Sequence, residues 1–369
     1  MYYQRMPIEI ESPEQLGYEN VKYNLAESSV TDLNYCDLGI TLDDLVICYG
    51  DHLGKPQLRD LIASEYEGIS KDNILLTVGA ASALFIVNTS ILTNKDHLIV
   101  IRPNYGINIE TPKLIGCQID YVDLSFESNF RLDINKISSL IKSNTKMISL
   151  TYPHNPTGVV INLDELNQVI KIAENNNCYL LYDETYRDMV FGEKLPLAAS
   201  LSKNVISISS ISKAYGLPGI RLGWLICQDQ KLFNTFLAAK EQIFICNSVI
   251  DEEIAYLFLK EKDKHFSKIL KNIKNNFIIV KDFIKSQSYL EWQQPEGGVV
   301  CFPRIKPELK IDIEGFYQTL NIKHKTFVGP GHWFEMDKRF MRIGYGWPDS
   351  EQLKQGLNNI LLSIEENIK

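Results

Sequence analysis

Lys213, in Ser210-Ile-Ser-Lys-Ala-Tyr-Gly, follows the apolar run VISISS (205–210), and other chemically able residues follow similar runs. Gly79-Ala80-Ala81-Ser82 follows ILLTVG (74–79), and Asn104-Tyr105 follows HLIVIRP (97–103). Asn155 follows KMISLTY (146–152), and Asp183 with Tyr186 follows CYLLYD (178–183). Short apolar runs of this kind read as strands buried on both faces. In an open α/β sheet, ligands bind beyond the carboxyl ends of the strands. Five strand ends thus bring a helix start suited to an anion, an aromatic ring, an amide, a carboxylate with a phenol, and a lysine to one rim. That set suits a phosphorylated, charged, planar aromatic ligand. Taken singly, each residue has a plainer reading: a solvated lysine, an aspartate capping a turn, an Asn-Pro turn at Asn155, a tyrosine packed in a core. Arg342, in Phe-Met-Arg-Ile-Gly-Tyr, is different, because an arginine inside a buried strand is rare unless paired. A substrate carboxylate is its natural partner.

The elements that must position these residues alternate. GWLIC (223–227) reads as a sixth buried strand, and helix patterns such as Ala81–Leu92 and Leu163–Glu174 lie between the strands. Asn162 and Glu165 give the second helix a capping-box-like start. Alternating strands and helices predict an α/β fold, a mostly parallel sheet covered by helices on both faces. After Tyr256 the character changes to a Lys-rich helix over about 263–286 and the strand-like LEWQQPEGGVVCFPRI and KRFMRIGYG. A closing helix begins at Asp349 and Gln352. The expected organisation is a large domain over 49–256 and a smaller α+β domain built from both termini, 1–48 and 257–369.

Composition narrows the classes. The chain has 369 residues, 45% of them hydrophobic, which is ample for a sizeable core. A net charge of -8 argues against a nucleic-acid footprint. The 7 cysteines are scattered without CxxC spacing, which suits a reducing compartment better than a disulfide framework or a metal site. The start, MYYQRMPIEIE, lacks a signal pattern, and no run is long and apolar enough for a membrane span. A soluble, cytoplasmic protein without a membrane partner is expected.

Three segments then gain meaning together. NPTG (155–158), DETY (183–186) and SISKAYGLPGIRLGW (210–224) resemble those of the class I/II aminotransferases of pyridoxal 5′-phosphate (PLP) fold type I, the aspartate aminotransferase-like enzymes. Order and spacing match as well, from about Ala26 to Arg342. The resemblance implies that the large domain binds PLP and that Lys213 holds it as a Schiff base. It implies that Asp183 pairs with the pyridine nitrogen, while Asn155 and Tyr186 hydrogen-bond the ring's 3′ oxygen. It gives the phosphate to Ala80 and Ala81 at the helix start, to Ser210 and Arg221, and less surely to Ser212. Relatives often carry Ser or Thr where Ala81 stands, so one donor is missing. Tyr105 sits where the family stacks a ring on the cofactor. Tyr49, in Tyr-Gly-Asp-His-Leu-Gly, resembles the tyrosine that reaches the neighbouring subunit's phosphate, which implies a homodimer with shared active sites. Arg342 resembles the arginine that binds the substrate α-carboxylate, with Asn155 and Ala26 beside it. Ala26 replaces a more usual glycine, and Gly331-His332-Trp333-Phe334 departs from the usual small residues, leaving a pocket-shaping or a packing role open for His332 and Trp333.

The implied function is transfer of an amino group between an L-amino acid and a 2-oxo acid, in a ping-pong cycle. Carbon–sulfur β-lyases and amino-acid oxidases or cyclases of this fold share the same residues, so those residues do not choose among the reactions. Pro153-His154-Asn155-Pro156-Thr157-Gly158 also occurs in such lyases. A PLP-sensing regulator is disfavoured, because the stretch before Tyr49 shows no basic winged-helix pattern. No second arginine motif for a dicarboxylate side chain is evident, so strict aspartate specificity is not expected.

Overall fold

The strands of the computed structural model, which describes residues 3–369, sort into one large sheet and two small ones. In chain order they are β1 (Tyr23–Leu25), β2 (Ile74–Thr77), β3 (His97–Arg102), β4 (Gln118–Asp123), β5 (Thr145–Thr151), β6 (Tyr179–Asp183) and β7 (Val205–Ser210). They continue with β8 (Gly223–Cys227), β9 (Leu290–Glu291), β10 (Val300–Cys301), β11 (Arg304–Ile305), β12 (Thr326–Pro330) and β13 (Met341–Gly344). The large sheet has the order β2-β8-β7-β6-β5-β3-β4. Pairing is parallel from β4 through β3, β5 and β6 to β7, whereas β8 lies antiparallel between β7 and β2. Only β8 is reversed, so the carboxyl ends of the other six strands and the amino end of β8 share one rim.

The inner strands of the large sheet are mostly apolar because each faces two cores. Ile74, Leu76, Ile99, Ile101, Ile148 and Leu150 join one core, while Leu75, Leu98, Val100 and Met147 join the other. This is the period-2 alternation of a pleated strand with both sides buried. Helix Leu163–Asn175 covers the first face with Leu166, Val169 and Ala173, and helix Gly79–Ile91 covers the second with Ala83, Leu84 and Val87. The Asn162 capping box is present, with Asn162 and Glu165 exchanging backbone hydrogen bonds.

A four-stranded sheet, β1-β12-β13-β10, is woven from both ends of the chain: β1 pairs parallel with β12, and β13 is antiparallel to β12 and β10. Helix Lys262–Ser286 and the closing helix Ser350–Glu365 pack together beside it, and Asp349 with Gln352 supplies the expected capping box. Strands β1, β4 and β12 are absent from the sequence reading. β4 was not expected, because Gln-Ile-Asp-Tyr-Val-Asp is a half-exposed edge strand without a continuous apolar run. LEWQQPEGGVVCFPRI holds three two-residue strands instead of long ones.

No helix among the described residues is long and apolar enough to cross a membrane. No group of three or more His, Cys, Asp or Glu among them is arranged to hold a metal ion.

Candidate active site

At the shared rim lies a cavity of about 390 Å³. Its walls include every site residue expected from the sequence except Tyr49. Tyr49 stands apart on the surface, 82% exposed, among the exposed Val46 and Ile47.

The anion cradle is built by two glycines. Gly79 opens helix Gly79–Ile91 at φ +72°, a conformation that side-chain-bearing residues rarely adopt. A Cβ there would come within 2.8 Å of Arg221 Nη2. Gly223, the first residue of β8, pairs with both Thr77 and Ser210. A Cβ at Gly223 would lie 2.6 Å from the backbone nitrogen of Ala80, so only glycine lets the helix start rest on the strand. No side chain caps this helix, and its first N–H groups, those of Ala80 and Ala81 among them, face the cavity unpaired. Arg221 reaches the same rim because β8 runs backwards. Its Nη1 donates to the carbonyl of Pro218 (2.7 Å) and weakly to Ser212 Oγ (3.4 Å), and its other nitrogens have no partner among the described residues. The Ser210 hydroxyl completes this corner.

Asp183, at the end of β6, is buried, and burial raises its pKa. Thr185 opposes that shift by donating its N–H (3.1 Å) and hydroxyl (2.7 Å) to Asp183 Oδ1. One oxygen is thereby fixed and the other stays free for a cationic partner. Thr185 was missed in the sequence, although its position two residues after an aspartate is a recognisable turn signal.

Lys213 sits half-buried in the short helix Ile211–Ala214 after β7, and its side-chain amine has no hydrogen-bond or ion-pair partner among the described residues. Burial lowers its pKa, and the nearby Arg342 and Arg221 lower it further against Glu27 and Glu14. A lysine so placed yields its proton more readily than one in water. Tyr105 lines the wall nearby, and its phenol pKa is pushed up first by burial and then by Glu9 and Asp183.

Arg342, on β13, is 4% exposed. Nη1 donates to Asn155 Oδ1 (3.1 Å) and Nη2 to the carbonyl of Ala26 (2.7 Å), while Nε has no partner. Among the described residues no carboxylate pairs with it, and burial lowers its pKa. The bond from Arg342 orients Asn155, leaving its amide N–H₂ to donate elsewhere. Tyr186 departs from the simplest expectation. Its hydroxyl donates to the carbonyl of Ser28 (2.8 Å), and its pKa is pushed up, chiefly by burial, to about 12. A ring oxygen in the cavity must therefore compete for that hydroxyl with Ser28.

The N-terminal segment forms a wall that the sequence did not announce. Glu9, Glu14, Tyr18 and Glu27 border the cavity, carried partly by the short helices Pro7–Glu11 and Pro13–Leu16. Their one legible signal is a proline at the first turn of each helix. Glu11 Oε2 accepts from His332 Nε2 (2.8 Å) and from the Trp333 indole (2.7 Å), latching this wall to turn Gly331–Phe334. Trp333 itself borders the cavity, whereas His332 is joined to its wall through Glu11.

Against known proteins, residues 43–360 match the family described as aminotransferase class I and II, and the chain belongs to that family. It is 26% identical over 86% of its length to capreomycidine synthase of Streptomyces vinaceus, covering 80% of that protein. It is 27% identical over 88% of its length to an aspartate aminotransferase of Pyrococcus horikoshii, covering 85% of that one. A solved PLP-dependent aminotransferase from Streptococcus suis superposes with a TM-score of 0.92 at 26% identity, covering 100% of both chains. The family's cofactor is PLP. The cavity fits it: a glycine-built cradle beside a free guanidinium suits its phosphate, a carboxylate with one free oxygen its ring nitrogen, and an unpartnered lysine its aldehyde.

Proposed function

We propose that the protein is an aminotransferase that moves an amino group between an L-amino acid and a 2-oxo acid. One observation carries this reading: Arg342, a buried guanidinium with no carboxylate partner, shares a cavity with the unpartnered Lys213. A buried cation held only by two neutral oxygens and the Phe334 ring is costly, so its retention argues for an anion that arrives with the substrate. An α-carboxylate on Arg342 brings the substrate's Cα toward Lys213.

PLP, when bound, supplies an aldehyde carbon for the amino group and an electron-poor ring that acidifies the Cα–H bond. The chain's own residues do the rest. Lys213 Nζ would hold the cofactor covalently and, once the substrate's amine has displaced it from the aldehyde carbon, would be the free amine that takes the proton from the substrate's Cα. Asp183 keeps the ring nitrogen protonated, Asn155 and Tyr186 hold the ring oxygen, and Tyr105 covers the ring. Ala80, Ala81, Ser210, Ser212 and Arg221 bind the phosphate. Ala26 supports Arg342 through its carbonyl. The exposure of Tyr49 suits a homodimer in which it completes the partner subunit's phosphate site.

Similarity to capreomycidine synthase supports a second reading, in which the same deprotonation ends in elimination or ring closure. Incubation of the holoenzyme with single amino acids, with and without 2-oxo acids, separates the two. Transamination requires the oxo acid for turnover and yields a new amino acid in equal amount. Multiple turnovers without any oxo acid refute it in favour of the second reading. Lys213→Ala should lose both turnover and the yellow absorbance of the lysine-bound cofactor, and retention of either refutes the reading of Lys213.

A further inference from the structure

The cavity carries four carboxylates that neither the cofactor nor the backbone of an amino acid employs. Arg221 serves a phosphate, Asp183 a ring nitrogen and Arg342 an α-carboxylate, yet Glu9, Glu14, Glu27 and Asp32 also line the walls. Glu9 and Glu27 are half-buried, while Glu14 and Asp32 stand at the mouth. None of the four forms an ion pair among the described residues. Arg5, on the same segment as Glu9, donates instead to the Glu9 backbone carbonyl (2.6 Å) and to Gln15 Oε1 (3.2 Å). Asp32 Oδ2 accepts only the Trp347 indole (3.0 Å).

The four fields overlap. Tyr18, beside them, has its phenol pKa pushed up to about 12 by burial and then by Glu27, Glu14 and Asp32. Burial and Glu14 raise the pKa of Glu9 against the pull of Lys213 and Arg5. Like charges gathered at a cavity cost stability unless a cation enters. Independently, Arg342, a buried guanidinium with no carboxylate partner among the described residues, lines the same cavity and fits it for a ligand that also carries an anionic group. Glu27 adjoins Ala26, whose carbonyl holds Arg342, so the acidic wall begins next to the carboxylate anchor.

We propose that the preferred substrate is an amino acid with a cationic side chain, a guanidinium or a primary ammonium, which Glu9 and Glu27 receive while Glu14 and Asp32 attract it at the mouth. This rests on the reading of the cavity as an amino-acid site. A dicarboxylate would meet like charge along the whole wall, and an uncharged side chain would leave Glu9 and Glu27 without a direct ion-pair partner.

The test is calorimetric binding to the holoenzyme, with melting-temperature shifts as a second readout, using L-arginine, L-lysine, L-citrulline and L-glutamate. Citrulline has nearly the shape of arginine without its charge. Arginine or lysine should bind at least about tenfold tighter than citrulline, and glutamate weakest of all. Arginine ahead of lysine identifies a guanidinium site, and the reverse order an ammonium site. The double variant Glu9→Gln/Glu27→Gln should bring arginine and citrulline within about threefold, and added salt should weaken arginine more than citrulline. Citrulline or glutamate binding as tightly as arginine overturns the proposal, as does an undiminished preference in the double variant. If no amino acid of any charge binds, the amino-acid reading itself falls, and this proposal with it.

Discussion

Replacing Arg342 separates a ligand-binding role from a structural one. Arg342→Met removes two hydrogen bonds, to Asn155 Oδ1 and to the carbonyl of Ala26, and one buried charge. The lost bonds cost about 1 kcal/mol each, with the Ala26 carbonyl left wanting a donor. Removing a guanidinium that has no carboxylate partner and an orphaned Nε relieves a desolvation penalty of similar size. Net stability should change by at most about 2 kcal/mol, so the melting temperature moves by only about 3 °C in a chain this long. Substrate affinity should respond far more. A carboxylate gripped by two charge-assisted bonds gains at least about 1.5 kcal/mol from each, so about 3 kcal/mol is lost, or roughly 150-fold in kcat/KM. Arg342→Lys keeps the charge but not the planar fork, and should lose about tenfold. Steady-state kinetics over a panel of amino acids, paired with thermal melts, reads both effects. A kcat/KM within fivefold of wild type, or a fall of more than about 10 °C in melting temperature, refutes the assignment of Arg342 to the substrate.

Mixing the inactive Lys213→Ala protein with Tyr49→Ala should restore activity, because each mixed dimer then has one site with both residues intact. Gel filtration with assay of the mixture checks this, and failure to recover activity from stable mixed dimers excludes Tyr49 from the partner's site. Glu184 is buried, and burial raises its pKa from 4.5 to about 7 despite the pull of Arg187. The folded chain therefore holds a proton that the unfolded chain releases, and this group's stabilising share is full below pH 4.5 and is lost as pH rises toward about 7. That share is on the order of 3 kcal/mol. Thermal melts from pH 5 to 8 should show a shallower decline for Glu184→Gln, with a remaining slope from Glu252, which burial also raises to about 7. Glu11→Gln weakens the latch to His332 and Trp333, so limited proteolysis near residues 7–16 should quicken while the global melting temperature stays within about 1 °C. Unchanged cleavage means that the latch does not hold the wall.

The two halves of the cavity differ in how far the sequence reveals them, and the reason is physical. Residues for the cofactor follow strands whose apolar runs are conspicuous, since each strand is buried on both faces. Asn155, Asp183 and Lys213 are therefore set in space by the nearest local element. Arg221 fits that rule only through a fact the pattern does not contain. Strand direction is not encoded in hydrophobic periodicity, and the reversal of β8 is what carries Arg221 to the rim. Edge strand β4 escapes because exposure erases the apolar run that marks its neighbours. The substrate half is assembled from distant pieces: Ala26 from β1's exit, Arg342 from β13, Trp333 from a short turn, and Glu9 from a five-residue helix without periodicity. Their meeting depends on β1 pairing with β12 across most of the chain, which no local window reports. A change in the N-terminal wall can therefore alter which side chain is accepted while leaving the motifs around Lys213 untouched. The acidic residues of that wall, more than the lysine, are where the identity of the substrate is written.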